Sequence, residues 1–79
     1  MKILLVEDNK SISDSLKFYF KKNNLNLEVR ESLKDAKTFI NHNLNLDLII
    51  LDLMLPDGSG FSLYEDFIKS LHIPVIFLT

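Results

Sequence analysis

Cysteine is absent from the 79 residues of this sequence. Its absence excludes a disulfide framework and a thiolate metal site, which are common sources of stability in chains this short. No apolar run approaches the roughly 20 residues of a membrane-spanning helix. The apolar run at residues 3–6 is also too short for the core of a signal peptide, and acids follow it directly. We therefore expect one small domain located in the cytosol, a reducing compartment that suits a chain without cysteine.

An excess of positive charge is also lacking. The formal net charge is -2 at pH 7, so the sequence offers no electrostatic support for direct contact with nucleic acid. Neither glycine-rich nucleotide motif, G-x-G-x-x-G or G-x-x-x-x-G-K, follows the first apolar segment, which argues against a nucleotide-binding fold. The rest of the composition, with 47% hydrophobic and 25% charged residues, is ordinary for a globular protein.

Four short apolar segments predict β-strands. They are Lys2–Val6, 25–29, 47–53 and 73–79. Residues 25–29 alternate apolar and polar side chains, as an edge strand does, whereas the other segments are continuous apolar runs typical of strands covered on both faces. Pro74 lies at the start of the last segment, where proline is tolerated.

Apolar residues at helical spacing occupy the intervals between these strands. Asn9 or Ser11 can cap the first helix, and Ser32 with Asp35 forms a cap signature that opens the second. A third helix is predicted over residues 61–70. The inward-facing positions are Ile12, Leu16, Tyr19 and Phe20 in the first helix, Leu33, Ala36, Phe39 and Ile40 in the second, and Phe61, Tyr64, Phe67, Ile68 and Leu71 in the third.

The resulting order, β-α-β-α-β-α-β, predicts an α/β fold with a parallel sheet and right-handed crossovers. Such sheets bind ligands beyond the carboxyl ends of their strands. Glu7 and Asp8 follow the first strand, Asp52 stands at the end of the third, and Thr79 at the end of the fourth. We expect Asp52 at the rim of the sheet rather than inside it, because an unpaired buried carboxylate is costly.

Carboxylates that converge at one rim raise one another's pKa values unless a cation neutralises them. Oxygen-only ligands favour a hard cation, Mg²⁺ above all, and the natural partner of Mg²⁺ is a phosphoryl group. A carboxylate such as Asp52 can also act as a nucleophile and form an acyl phosphate. The hydroxyl of Thr79 could then donate a hydrogen bond to a phosphoryl oxygen.

Each of these positions also has an ordinary structural explanation when taken alone. Glu7 and Asp8 could be an acid pair at a helix entry, since acids favour helix N-termini. Asp52 could cap a turn, and Thr79 could be only a β-forming residue at a strand end. The pair at 57–58 predicts a turn with no chemistry of its own. The functional interpretation is favoured because four positions fall at the same rim of one predicted sheet.

Three segments resemble the receiver domain of two-component response regulators. They are ILLVEDN at 3–9, DLIILDLMLPDGSG at 47–60 and PVIFLT at 74–79. The segments occur in the family's order and at its spacing. The resemblance implies a flavodoxin-like, doubly wound parallel sheet that is incomplete here, with the strand order 2-1-3-4. It also implies a phosphorylation switch that takes its phosphoryl group from a sensor histidine kinase or, in some members, from a small acyl phosphate.

The resemblance assigns a role to individual residues of the acidic rim. Asp52 matches the phosphoacceptor, and Thr79 matches the switch hydroxyl that moves toward the phosphoryl group. Glu7, Asp8, Asp52 and the main-chain carbonyl of Met54 match the Mg²⁺ site, with Asp8 binding directly and Glu7 through water. Pro56 and the glycine at 58 match the tight loop that shapes the pocket.

The family pattern also contains parts that have no match in this sequence. Receivers have a fifth strand with a pocket lysine, and two more helices; no lysine of this chain lies at that position. Residues 1–79 are therefore interpreted as a partial receiver domain, the N-terminal part of a response regulator, which would reach DNA only through a downstream effector domain. The fourth predicted strand would be an exposed apolar edge, and the first helix would lie alone on its face of the sheet. Both features predict self-association or domain swapping.

Two alternatives remain open on the sequence. The first is a pseudo-receiver, an interaction module that keeps the fold without phosphorylation; the missing lysine favours it and the intact acidic set argues against it. The second is a Mg²⁺-dependent phosphatase with an aspartate nucleophile, but that class needs a second aspartate two positions on, where this chain has Met54. We expect no enzymatic activity beyond the domain's own phosphotransfer and dephosphorylation.

Overall fold

The computed structural model describes residues 1–78, which form six strands, three α-helices and one 3₁₀ helix. In chain order these are β1 (Lys2–Val6), α1 (Lys10–Lys22), β2 (Asn26–Arg30), α2 (Leu33–Asn41), β3 (Leu48–Asp52), β4 (Met54–Leu55), β5 (Gly58–Ser59), α3 (Gly60–Asp66), the 3₁₀ helix (Ile68–Leu71) and β6 (Val75–Leu78). A parallel sheet has the order β2-β1-β3-β6, and β4 pairs with β5 in a separate antiparallel hairpin. The predicted order of the four main strands is confirmed.

Local sequence signals account for where the first two helices begin. Asn9, rather than Ser11, caps α1: its side-chain oxygen accepts the N–H of Ile12 at 3.2 Å. Ser32 caps α2 by accepting the N–H of Asp35 at 3.1 Å, as its sequence signature predicts. Each cap satisfies a backbone donor that has no partner inside its helix.

Alternation along the strands divides the core between two faces of the sheet. The first, which we call the closed face, carries Leu4, Val6, Ile49 and Leu51, and α2, α3 and the 3₁₀ helix pack on it. All four of these side chains are fully buried. The closed face therefore holds the larger part of the hydrophobic core.

The opposite face, which we call the open face, carries Ile3, Leu5 and Ile50. Leu16 and Phe20 of α1 pack on it, together with side chains from the strands and from the turn before β2. Ile76 of β6 stays 51% exposed on this side, opposite Ile50 in the strand register. The prediction that α1 would leave apolar surface bare agrees with this exposure.

Several sequence-based expectations about helices are wrong in detail. Ile12 and Tyr19, predicted to face inward, are exposed, because only Leu16 and Phe20 of that set reach the sheet. The predicted helix at 61–70 is interrupted at Phe67, where φ is -139° and ψ is -60°. The chain then continues as the 3₁₀ helix, whose tighter turn begins with a fully buried isoleucine.

Tertiary packing also changes one predicted core position and several strand boundaries. Phe61 is 52% exposed and contacts the rings of Tyr64 and Phe77 at the surface of the closed face. The strand at 26–30 is shifted by one residue, the strand at 48–52 is one residue shorter at each end, and the last strand begins at Val75, two residues later than predicted. None of the helices within residues 1–78 is both long enough and apolar enough to cross a membrane.

Candidate functional site

Neighbouring strands bring three carboxylates to one point of the rim. Glu7 and Asp8 follow β1, and Asp52 is the last residue of β3. β1 and β3 are paired in parallel, so their carboxyl ends lie side by side. One carboxylate oxygen from each of Glu7, Asp8 and Asp52 lies within 4.8 Å of the other two. The structure therefore brings together the three acidic residues that the sequence placed at this rim.

Glu7 is buried although it carries a carboxylate, with only 3% of its surface exposed. Its N–H donates to the carbonyl of Arg30 at 3.0 Å, which extends the pairing of β1 with β2 past the end of the strand. Its side-chain Oε2 accepts the N–H of Asn9 at 3.0 Å. The turn that caps α1 thus also holds the Glu7 carboxylate.

The pKa of Glu7 is raised above its ordinary value by its surroundings in the carboxylate cluster. Burial is the main cause, and contact with Asp52 and the negative charges of Asp52 and Asp8 raise this pKa further. The N–H of Asn9 opposes these effects by stabilising the ionised form. None of the ion pairs within residues 1–78 includes one of the three carboxylates. This crowded, oxygen-only donor set fits a hard divalent cation such as Mg²⁺.

The segment after β3 fixes one oxygen of Asp52. Met54 donates its N–H to Asp52 Oδ1 at 3.2 Å. The Met54 residue itself is 82% exposed to solvent. Leu53 donates its N–H to the carbonyl of Leu78 at 3.3 Å, which ties the end of β3 to the end of β6. Thr79, the predicted switch hydroxyl, lies outside the described residues, and its role stays a prediction.

An open cleft of about 1090 Å³ adjoins the carboxylates on the open face. Its apolar lining includes Ile12 and Leu16 of α1, together with Met54 and Leu78. The acidic cluster therefore stands at the end of an apolar cleft with access to solvent.

Gly60 is a structural determinant of the site that sequence reasoning missed. A Cβ atom built on this residue would lie 2.0 Å from the carbonyl oxygen of Asp52, so no side chain fits. The Gly60 N–H donates to the carbonyl of Leu53 at 3.0 Å. The start of α3 thus packs directly on the backbone of the candidate phosphoacceptor. A usable signal existed, since the sequence has only two glycines, Gly58 in the hairpin and Gly60 at the first position of α3.

Asp57 was expected to form a turn without chemistry, and it does lie at the tip of the β4–β5 hairpin. Its carboxylate does more than the sequence suggested. Oδ1 accepts the N–H of Leu33 at 2.9 Å, and Oδ2 accepts the N–H of Lys34 at 3.0 Å. These backbone donors lower the pKa of Asp57 below its ordinary value. A residue far away in sequence therefore completes the cap of α2.

Comparison with known proteins agrees with this geometry. The family model described as the response regulator receiver domain matches residues 3–79. The chain belongs to the response regulator receiver family. Receiver domains are the signalling modules of two-component systems. The family match confirms the resemblance that the three sequence segments indicated. The flavodoxin-like fold class is confirmed by the same family and by the strand order.

Individual relatives extend the likeness to sequence and backbone. The chain is 36% identical over 80 residues to YclJ, named as a transcriptional regulatory protein of Bacillus subtilis, and covers 34% of its length. It superposes on the non-phosphorylated HemR receiver domain of Leptospira biflexa with a TM-score of 0.88 and 37% identity, covering 99% of this chain and 63% of that chain. For the BeF3-activated N-terminal receiver domain of Klebsiella pneumoniae RstA, the TM-score is 0.90 at 29% identity, with 100% and 67% covered.

The chain therefore spans about a third of the length of its relative YclJ and about two thirds of these receiver-domain chains. Residues 1–78 include the three converging carboxylates, the β4–β5 hairpin and the start of α3.

Proposed function

We propose that this receiver accepts a phosphoryl group on Asp52 from a sensor histidine kinase, with Mg²⁺ held by Glu7, Asp8, Asp52 and the main-chain carbonyl of Met54. The observation that supports the proposal most is the convergence of the three carboxylates within 4.8 Å at the end of β3. Thr79 is proposed to donate its hydroxyl to the phosphoryl group.

The proposed reaction is a transfer to a carboxylate oxygen. The N–H of Met54 occupies Asp52 Oδ1, which leaves Oδ2 as the oxygen to attack phosphorus. As this O–P bond forms, the bond from phosphorus to the donor nitrogen breaks, and the nitrogen keeps the electron pair. The product is an acyl phosphate on Asp52. Bound Mg²⁺ would neutralise the charge of the phosphoryl oxygens and of the carboxylates around them.

Glu7 and Asp8 are proposed to hold the cation rather than to attack. Glu7 is buried and its Oε2 is already bonded to the Asn9 N–H, so it is poorly placed to meet an incoming phosphoryl group. Asp8 is exposed at the mouth of the cleft, where direct binding is possible. Asp52 is half-buried at the same mouth, which leaves it reachable by a donor.

The first test is the intact mass of the chain before and after incubation with Mg²⁺ and acetyl phosphate. Wild type should gain one phosphoryl group, and Asp52→Asn should gain none. Asp14→Asn is a matched control, because Asp14 is an exposed acid of α1 that makes only a surface ion pair with Lys10. A gain in Asp52→Asn, or no gain in wild type, would contradict the proposal. Omitting Mg²⁺ should abolish the gain if the cation is required.

We also propose where the chain is located and how it would reach DNA. A cytosolic location is expected, and contact with DNA is expected only through an effector domain.

The outer edge of β6 lies at one side of the sheet, with Ile76 half exposed beside it. This edge is the surface through which the 79-residue chain would self-associate or exchange a strand. Analytical ultracentrifugation that finds a stable monomer of 9.2 kDa would contradict that expectation.

A further inference from the structure

The tip of the β4–β5 hairpin is attached to the first turn of α2. Asp57 accepts the N–H groups of Leu33 and Lys34, one on each carboxylate oxygen, at 2.9 and 3.0 Å. Gly58 follows with a φ of +144° and approaches the same helix, since a Cβ there would lie 3.0 Å from Leu33 Cδ1. Polar and apolar contacts therefore fix the hairpin tip on one point of α2.

The cap of α2 is shared between two distant parts of the chain. Ser32 accepts the N–H of Asp35, which leaves the two preceding donors of the first turn without a local acceptor. Asp57 satisfies both of those donors. A negative charge is also favourable at a helix N-terminus, where the backbone dipoles converge. The α2 helix thus has one local cap and one cap supplied by the hairpin.

The other end of the same hairpin lies against Asp52. Met54 pairs with Ser59, and Leu55 pairs with Gly58, so the turn at the tip is tight and its two strands are short. The Met54 N–H donates to Asp52 Oδ1. Because so few residues separate the tip from Met54, a shift of the tip would be transmitted to the backbone of Met54.

We propose that Asp57 is a positioning residue of the acidic site. By anchoring the hairpin on α2, it holds Met54 where its N–H orients the Asp52 carboxylate and its carbonyl is available to a cation. The proposal rests on the function proposed above, because it assigns to Asp57 a task only if Asp52 and Met54 belong to a working site. The hydrogen bonds of Asp57, the short hairpin backbone and the Met54 N–H together connect the first turn of α2 to Asp52.

The test compares Asp57→Ala with Ser32→Ala. Each variant removes a cap of the same helix, but only Asp57 connects that helix to the hairpin, so Ser32→Ala controls for a weakened α2. Asp57→Asn is an intermediate case, since its amide offers one acceptor oxygen where the carboxylate offers two. NMR titration with Mg²⁺ measures affinity from the amide signals of Asp52 and Met54. Amide hydrogen exchange without Mg²⁺ measures how well the Met54 N–H is held.

Loss of the anchor should weaken Mg²⁺ binding by about tenfold in Asp57→Ala, the scale seen when groups that orient metal ligands are removed. Asp57→Asn should show a smaller loss, and Ser32→Ala none. Exchange of the Met54 amide should be faster in Asp57→Ala and unchanged in Ser32→Ala. Equal effects of Asp57→Ala and Ser32→Ala on both measurements, or no effect of Asp57→Ala, would overturn the proposal.

The design separates this inference from the proposed function. Wild type that binds no Mg²⁺ and gains no phosphoryl group would overturn the function proposed for the acidic rim. Amide exchange would then decide the anchor by itself: faster exchange at Met54 in Asp57→Ala alone supports it, and identical rates in all variants refute it.

Discussion

The two faces of the sheet differ in how completely they are covered. On the closed face, Ile49 is 0% exposed beneath α2, α3 and the 3₁₀ helix. On the open face, α1 is the single helix within residues 1–78 that packs on the strands, and Ile76 remains 51% exposed. Both faces present mainly aliphatic side chains from the same strands. The difference therefore comes from the number of helices that cover them rather than from strand composition.

Within residues 1–78, the two faces contribute differently to the hydrophobic core. The closed face supplies most of the buried apolar area, and burial is the dominant favourable term in folding. The open face carries the cleft of about 1090 Å³ that leads to the carboxylates. Within residues 1–78, the comparison shows that the larger core packs on the closed face, whereas the cleft beside the carboxylates lies on the open face.

The largest expected effect is the loss of packing on the closed face. Ile49→Ala should lower the free energy of unfolding by about 2–5 kcal/mol, because it leaves a cavity in a fully buried position. Ile76→Ala is the matched substitution on the open face, and it should cost about 1 kcal/mol or less because Ile76 is already half exposed. Urea denaturation of both variants measures the difference. Equal losses would show that the faces contribute alike and would refute the comparison.

The next largest effect concerns the contact between the closed face and the site. Gly60→Ala should lower the free energy of unfolding by about 1–3 kcal/mol or more, since the new methyl group overlaps the Asp52 carbonyl. The displaced backbone should also reduce the phosphorylation proposed for Asp52. Ser62→Ala, at an exposed position of the same helix, is the control and should leave both properties unchanged. Normal phosphorylation in Gly60→Ala would show that the site tolerates movement of α3.

Acid should weaken the hairpin's attachment on the closed face. The pKa of Asp57 is lowered from 3.8 by the N–H groups of Leu33 and Lys34, so its ionised form is favoured in the folded state. Its contribution to stability is present above 3.8 and is lost as the pH falls through the lower folded-state pKa. Asp57→Asn should therefore show a weaker loss of stability in this acidic range. Denaturation midpoints measured over a pH series would detect the difference.

The pKa of Glu7 is shifted in the opposite direction to that of Asp57, so the same pH series provides a second test. Its pKa is raised from 4.5, mainly by burial, so its relative stabilisation is present below 4.5 and is lost as the pH rises through the folded-state pKa. Without Mg²⁺, Glu7→Gln should gain stability relative to wild type over that range. Parallel profiles of stability against pH for wild type and Glu7→Gln would contradict the raised pKa of Glu7.

The smallest expected effect concerns two non-glycine residues with positive φ, one in the turn that precedes each of two strands. His72 has a φ of 58° before β6, and Asn24 has a φ of 60° before β2. His72→Gly should stabilise the chain by about 0.5 kcal/mol, because relief of about 1–2 kcal/mol of backbone crowding exceeds the added unfolded-chain entropy of about 0.4–1 kcal/mol. Asn24→Gly should gain less, because asparagine tolerates this conformation. Thermal melting of both variants tests the ranking.

Much of the fold could be predicted because its signals are local. Continuous apolar runs marked β1, β3 and β6, and the alternation near residues 25–29 marked the edge strand. Caps at Asn9 and Ser32 marked helix starts within a residue or two. The carboxylates of the candidate site were predictable for the same reason, since parallel strands must place their ends at one rim.

The details that were missed depend on contacts between distant segments. Nothing near residue 57 in the sequence indicates that its carboxylate reaches the first turn of α2. The close approach of Gly60 to the Asp52 carbonyl likewise appears only when α3 has packed on β3. The exposure of Phe61 depends on how α3 sits against β6, and helical spacing alone could not predict it.

The sequence by itself determined the order of the strands, the family and the three acids at the rim, because hydrophobic periodicity and motif spacing are properties of neighbouring residues. Only the tertiary structure decided how the hairpin is anchored on α2 and which helices pack on each face of the sheet within residues 1–78. Those outcomes follow from packing and hydrogen bonds between segments that are distant in the sequence, such as Asp57 and Leu33 with a separation of 24. Local patterns carry no record of such contacts.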